Sequence, residues 1–259
     1  MNFSSPFQLR FFSGISGLQL PIPKSLFPPP FENVSRISYY SFLFNSIEIN
    51  SSFYKIPGAS TFTGWAESTS DNFLFTFKLW KGITHTKVLQ LRKEDVFSFF
   101  TAINFIGGKK GCLLIQLPPG LGKDCTCQLD KLFSCIKETD TANEWKVATE
   151  FRNESWYHNE IFELLKAYNI AMVGHDIPKS RTPFLNSCNG DFIYNRFHGP
   201  TGNYRDGYSE DFLNKYAANI NGWIEEGKTV FVYFNNTMGD AINNLITLNR
   251  LVCGNAGLA

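Results

Sequence analysis

The stretch Val147-Ala-Thr-Glu-Phe-Arg-Asn-Glu-Ser-Trp156 decides how the rest of the chain is read. It opens as a strand. Alternation places Ala148, Glu150 and Arg152 on one face and Val147, Thr149 and Phe151 on the other. Two opposite charges on one face of an otherwise apolar strand are costly inside a core unless paired, so this face is expected to meet a cavity. Trp156 follows closely and supplies an aromatic plate at the strand's carboxyl end.

Strands of the same kind are expected over residues 9–13, 46–50, 72–79, 111–117, 145–151, 170–173, 191–197 and 229–234. Helices are expected over 34–44, 61–68, 93–105, 127–136, 158–168, 209–223 and 239–252. Residues 21–30 are too rich in proline for regular structure, and 51–57, 82–85 and 174–190 read as loops. Strands alternating with helical or crossover segments, with no linker or repeat between them, predict an α/β fold. The expectation is a TIM-barrel-like (β/α)8 in a single domain spanning 1–259. A doubly wound open sheet would require a glycine-rich phosphate loop after the first strand. Gly14-Ile-Ser-Gly17 lacks the third glycine and runs towards prolines rather than a helix start.

The composition suits a water-soluble protein with an ample, ring-rich core: 259 residues, 43% hydrophobic, 18% charged and 26 phenylalanines. A net charge of +1 gives no basic footprint of a dedicated nucleic-acid binder, although a local basic cleft stays open. The amino terminus has no cationic start followed by an apolar run, and no stretch is apolar for long enough to span a bilayer. A cytoplasmic protein with no membrane partner is expected. Cys112, Cys125, Cys127, Cys135, Cys188 and Cys253 show no disulfide-framework spacing, and Cys125-Thr-Cys127 with Cys135 lacks the paired knuckles of a zinc site.

Segments in a fixed order resemble the YecE-like family, also called domain of unknown function 72. They are Gly14-Ile-Ser-Gly17, Ile47-Glu-Ile-Asn50, Ser52-Phe-Tyr54 with Pro57, Trp65, Phe75 to Lys78, and Ile83-Thr-His85. The series continues with Gln116-Leu-Pro-Pro119, Glu150-Phe-Arg152, Ser155-Trp156, Arg196-Phe-His-Gly199 and Tyr233-Phe-Asn-Asn236. The resemblance implies a TIM-barrel-like fold with a shared polar cleft and carries no settled activity. The family usually has an aromatic after its first Ser-Gly, where this chain has Leu18.

The polar residues collect at the carboxyl ends of the expected strands, the face on which barrel active sites lie. Glu48, Lys78, Glu150 and His198 are the candidate catalytic groups. Asn50, Tyr54, His85, Gln116, Arg152, Trp156, Arg196 and Asn235 are the candidate substrate-binding groups. Lys78, Arg152 and Arg196 favour a small anionic ligand, phosphorylated or sugar-like, with the aromatic rings offering faces to a sugar or a base. A carboxylate pair suits glycoside hydrolysis, yet barrel enzymes with acids after strands four and seven have Gln116 and Arg196 here.

A metal-assisted phosphodiesterase of endonuclease-like type would draw on Glu48, Glu150, His175, Asp176 and His198, and Lys78 and Arg196 beside them oppose a cation. The expectation is therefore no resident cofactor and no metal ligand set, with a divalent metal or a nucleic-acid partner as the alternatives. Acid-base chemistry on an anionic substrate fits the residue types best, and a lysine of lowered pKa at Lys78 could also form a Schiff base. Two other readings use the same residues. A non-catalytic binding module needs only the cations and rings, and in a buried network the glutamates serve only to neutralise Arg152 and Arg196.

Overall fold

The alternating segments form strands in a computed structural model that describes residues 10–183 and 190–254. In chain order they are β1 (Phe11–Ile15), β2 (Ser46–Ile49), β3 (Leu74–Lys78), β4 (Lys110–Gln116) and β5 (Lys146–Glu150). After these come β6 (Ala171–Met172), β7 (Gly174–His175), β8 (Phe192–Phe197) and β9 (Thr229–Phe234). They make two sheets, ordered β1-β9-β8-β7 and β2-β3-β4-β5-β6. Every pairing is parallel, which obliges the chain to cross back between strands.

Helices make most of these crossings: α1 (Arg36–Leu43), α2 (Ser51–Tyr54), α3 (Ala59–Glu67), α4 (Lys81–Thr84), α5 (Lys93–Ile103), α6 (Thr126–Thr139), α7 (Asn159–Ala167) and α8 (Glu210–Glu225). The last helix, α9 (Ala241–Cys253), follows β9. Their starts are written locally. Ser35 accepts a hydrogen bond from the Ser38 N–H at 3.1 Å, and Ser209 accepts one from Phe212 at 3.3 Å, with Glu210 and Asp211 against the positive end of α8. No described helix is long and apolar enough to cross a membrane.

The strand alternation separates two apolar layers. Ile47, Phe75, Phe77, Leu113, Ile115, Val147, Ile193 and Val232 join the helices in the larger core. Leu114, Ala148, Val173, Phe192, Tyr194, Phe231 and Tyr233 form a second cluster on the opposite strand face. On that second face, hydroxyls tie one sheet to the other: Tyr233 Oη lies 2.6 Å from Ser46 Oγ and 2.7 Å from Thr76 Oγ1.

The ladder is not one unbroken ring. At one seam Ser16 and Glu48 form an isolated parallel bridge, and Gly17 N–H donates to the Glu48 carbonyl at 2.8 Å. At the other, the sixth strand expected over 170–173 divides. Ala171 and Met172 pair with β5, the Val173 N–H reaches the Thr149 carbonyl at 2.9 Å, and Gly174 and His175 pair with β8. Twisted neighbours diverge, so a strand shared between two of them bonds each over a short length.

Other boundaries also shifted. Residues 51–54, within the loop expected over 51–57, and 81–84, overlapping the loop expected over 82–85, are single helical turns, the first tied to β3 by Ser52 Oγ donating to the Lys78 carbonyl at 2.8 Å. The 174–190 segment opens with β7 rather than irregular chain. Leu9, Cys188 and residues 184–189 lie outside the described residues. Cys112, Cys125, Cys127, Cys135 and Cys253 are free thiols.

The first seam depends on Gly14. A Cβ there would stand 2.1 Å from the Ser46 carbonyl oxygen and 3.0 Å from Tyr40 Oη, so the β2 backbone itself would have to shift. Gly14→Ala is expected to cost about 1–3 kcal/mol as strained packing. An unchanged urea midpoint would show that β1 and β2 do not approach this closely in solution.

Candidate functional site

At the carboxyl ends of the strands the inward alternation delivers charge. Arg196, at the end of β8, grips Glu48 of β2 with both edges of its guanidinium: Nε to Oε2 at 2.9 Å and Nη2 to Oε1 at 2.7 Å. Its Nη1 donates to Glu150 Oε2 of β5 at 2.7 Å, so one arginine links both sheets. Ser16 Oγ at 2.6 Å and the Tyr194 hydroxyl also donate to Glu48, and Arg152 Nε donates to Glu150 Oε1. Arg196 and both glutamates are buried. Burial alone would raise the carboxyl pKa values, and the guanidiniums beside them outweigh it. Glu48 is lowered by Arg196, and Glu150 is held well below the usual range by Arg152 and Arg196.

His198 continues the network. Its Nε2 lies 3.2 Å from Arg196 Nη1 and 3.1 Å from Arg152 Nη2, both of which can only donate, so this nitrogen carries the lone pair. Nδ1 then holds the proton and donates to Asp176 Oδ1 at 3.3 Å, while Asp176 also accepts from the His198 N–H at 2.9 Å and from the Tyr208 hydroxyl. Burial pushes the imidazole pKa down to about 4, against the opposing pull of Asp176. His198 is therefore neutral at physiological pH with its basic nitrogen already engaged, and it positions the two arginines.

Above this layer lies a cavity of about 200 Å³. Lys78, Arg152, Arg196, Gln116, Asn50 and Asn235 line it, together with the rings of Phe53, Tyr54 and Tyr204. Among the described residues no carboxylate lines it. Lys78 Nζ donates to Gln116 Oε1 at 2.7 Å and lies 4.0 Å from the Phe53 ring centroid. Gln116 is turned this way because its Nε2 donates to the Leu117 carbonyl at 3.0 Å. Burial, followed by the charge of Arg196, lowers the Lys78 pKa to about 8. Arg152 has named partners for Nε, for Nη2 and, through the Tyr204 hydroxyl at 3.3 Å, for Nη1. Of its five N–H groups, two remain for a ligand.

The expected binding residues Asn50, Tyr54, Gln116, Arg152, Arg196 and Asn235 thus meet at one cavity with Lys78. Glu48, Glu150 and His198 lie beneath it, spent on the arginines. His85 stands beside it, its ring 4.9 Å from that of Phe53. Trp156 is misplaced by the sequence reading. It is buried in the helix-facing core, stacked on Phe151 at 5.2 Å, and its Nε1 donates to the Leu121 carbonyl at 2.8 Å. Asn153 Oδ1 accepts from the Ser155 N–H at 3.0 Å and starts a tight turn, and that turn ends the strand's alternation before Trp156.

Tyr204 is the residue that sequence reasoning missed. It stands at a left-handed φ of 66° in the loop after β8, beyond Gly199, whose φ is 94°. Only the strained backbone position marks it, and a sequence carries no sign of that. His175, a candidate ligand, instead pairs its Nε2 with the Phe151 carbonyl at 2.8 Å. Among the described residues no three His, Cys, Asp or Glu side chains converge to hold a metal ion.

Known proteins resemble this chain in sequence or in fold. The UPF0759 protein YunF of Bacillus subtilis strain 168 is 27% identical over 258 residues, covering 85% of this chain and 87% of its own. The UPF0759 protein YecE of Escherichia coli K12 is 29% identical over 89 residues, 34% of this chain. Among solved structures, a DUF72-family protein of Enterococcus faecalis V583 superposes with a TM-score of 0.78 over 94% of this chain and 95% of its own, at 19% identity. One from Thermotoga maritima MSB8 gives 0.67 over 93% and 98%, at 22% identity. Both likenesses concern the α/β fold. The family model described as "Protein of unknown function DUF72" matches residues 12–257, and the chain belongs to that family.

Proposed function

We propose that this protein is a cytoplasmic enzyme that applies acid-base chemistry to a small anionic substrate, phosphorylated or sugar-like. The substrate sits at the carboxyl ends of strands that together make one (β/α)8-type ring. One observation carries the reading: the cavity wall holds Lys78, Arg152 and Arg196, whereas Glu48 and Glu150 are turned away beneath it. Glu48 and Glu150 are engaged by the two arginines, so Lys78 is left without a carboxylate partner among the described residues in a partly dehydrated space, and an anion supplies one. Arg152 offers its free N–H groups to the anion. Lys78, poised near neutrality, is the group that can take or give a proton. Glu48, Glu150 and His198 hold the cations in position. The carboxylates are already committed to guanidiniums, which favours this reading over a metal-assisted phosphodiesterase.

Calorimetric titration with inorganic phosphate and sugar phosphates tests the site. Arg152→Met is expected to weaken binding about tenfold through a lost charge-assisted hydrogen bond. Equal affinity in the variant would remove the anion site from this cavity. A sugar phosphate that binds but is returned unchanged would reduce the enzyme to a binding module.

A further inference from the structure

Lys78 differs from the other cations of the site. Arg196 and Arg152 are each paired with carboxylates, whereas Lys78 has no carboxylate partner among the described residues. Its contacts are a neutral amide oxygen and an aromatic face, and its side chain lines the cavity. Two guanidiniums share that cavity and disfavour a third positive charge. A dehydrated amine next to fixed cations is the usual setting of a nucleophilic lysine. A second feature of the cavity points to a reacting ligand. Asn50 Oδ1, buried and without a hydrogen bond from any described residue, is an acceptor waiting for a donor.

We propose that Lys78 is a carbonyl-reactive amine that forms a Schiff base with an aldehyde or ketone also bearing a phosphate or carboxylate. This inference rests on the anion-site reading given above. The neutral Nζ attacks the carbonyl carbon, the C=O π electrons move to oxygen, and a proton passes from nitrogen to that oxygen. The resulting carbinolamine hydroxyl has Asn50 Oδ1 as its acceptor. The C–O bond then breaks, the oxygen leaves as water with a second proton from nitrogen, and the nitrogen lone pair completes C=N. One water is released per adduct, and no oxidant or reductant is consumed. Arg152 holds the anionic group, so an uncharged aldehyde reacts poorly.

The test uses the full chain with glyoxylate and glycolaldehyde phosphate as probes, propionaldehyde as the uncharged control, and borohydride to trap the imine. Intact mass and peptide mapping read the product. The expected result is a single reduced adduct on the Lys78 peptide, suppressed by inorganic phosphate, at least tenfold weaker with propionaldehyde and missing in Lys78→Arg. The wild-type peptide map alone is decisive if that variant does not fold. Phosphate binding without a Lys78 adduct, or label spread evenly over exposed lysines, overturns the Schiff base and leaves the anion site standing. Absence of both phosphate binding and label overturns the two together.

Discussion

Arg196→Ala is expected to destabilise the protein by about 3–5 kcal/mol, the usual consequence of removing one partner from a buried ion network. Arg196, on β8, serves two carboxylates of the other sheet, on β2 and β5, and its removal strips Glu48 of both guanidinium contacts. Glu150 keeps Arg152, and Glu48 keeps only Ser16 and Tyr194.

The loss should carry a pH signature. In the wild type both carboxyl pKa values are lowered, so their contribution is present above about pH 4.5 and lost as pH falls through the folded values. In the variant, burial without the cation raises the Glu48 pKa. Its contribution is then present below about 4.5 and lost as pH rises through the raised value. Urea unfolding at pH 5 and pH 8 should therefore show the gap between the two proteins widening at the higher pH. Glu48→Gln combined with Arg196→Met should recover part of the loss, because the orphaned charge goes with its partner. A variant with the wild-type midpoint at both pH values would mean the network does not hold the sheets together.

Lys78→Met should act in opposite directions on stability and on binding. The Lys78 pKa falls from 10.5 to about 8, which corresponds to roughly 3 kcal/mol of cost to the charged form. Methionine fills similar space without charge. Allowing for the lost Gln116 hydrogen bond and the Phe53 contact, a net gain of about 1–2 kcal/mol remains.

The sign can be followed with pH. Between about pH 8 and 10.5 the folded wild-type protein has shed a proton that the unfolded chain retains, so this group's stabilisation grows as pH rises through that window. The advantage of Lys78→Met should accordingly be largest below pH 8 and disappear near 10.5. Phosphate affinity should fall by about 100-fold in the same variant, since the one cation of the cavity wall without a carboxylate partner among the described residues is gone. A stable variant that still binds phosphate at full strength would place the anion elsewhere. A variant that loses stability below pH 8 would show that Lys78 is structural.

Much of the site was legible because alternation is a local property. Tyr194 and Arg196 on β8 and His198 just beyond it are two residues apart, as are Glu48 on β2 and Asn50 just beyond it. In an extended chain such residues share a face whatever surrounds them. Placing that face at the carboxyl ends followed from the parallel βα alternation. Trp156 shows where the rule stops: the turn that Asn153 starts was enough to rotate its ring into the helix layer, where Phe151 and the Leu121 carbonyl hold it. The divided sixth strand was hidden for a related reason. Nothing within residues 170–175 states that β5 and β8 diverge, because that divergence is a property of the sheets.

The amino-acid sequence by itself determined the α/β alternation, the inward face of each strand and the polar character of the carboxyl ends. Each depends only on the backbone period and the chemistry of neighbouring residues. Tertiary structure decided which charges meet. Arg196 chose Glu48, 148 residues away, and Glu150, 46 residues away, leaving Lys78 without a carboxylate. Those choices depend on strand order and register, and the whole chain sets these by closing its core. A cavity walled by Lys78, Arg152 and Arg196 emerged because the sheets place the glutamates beneath the arginines.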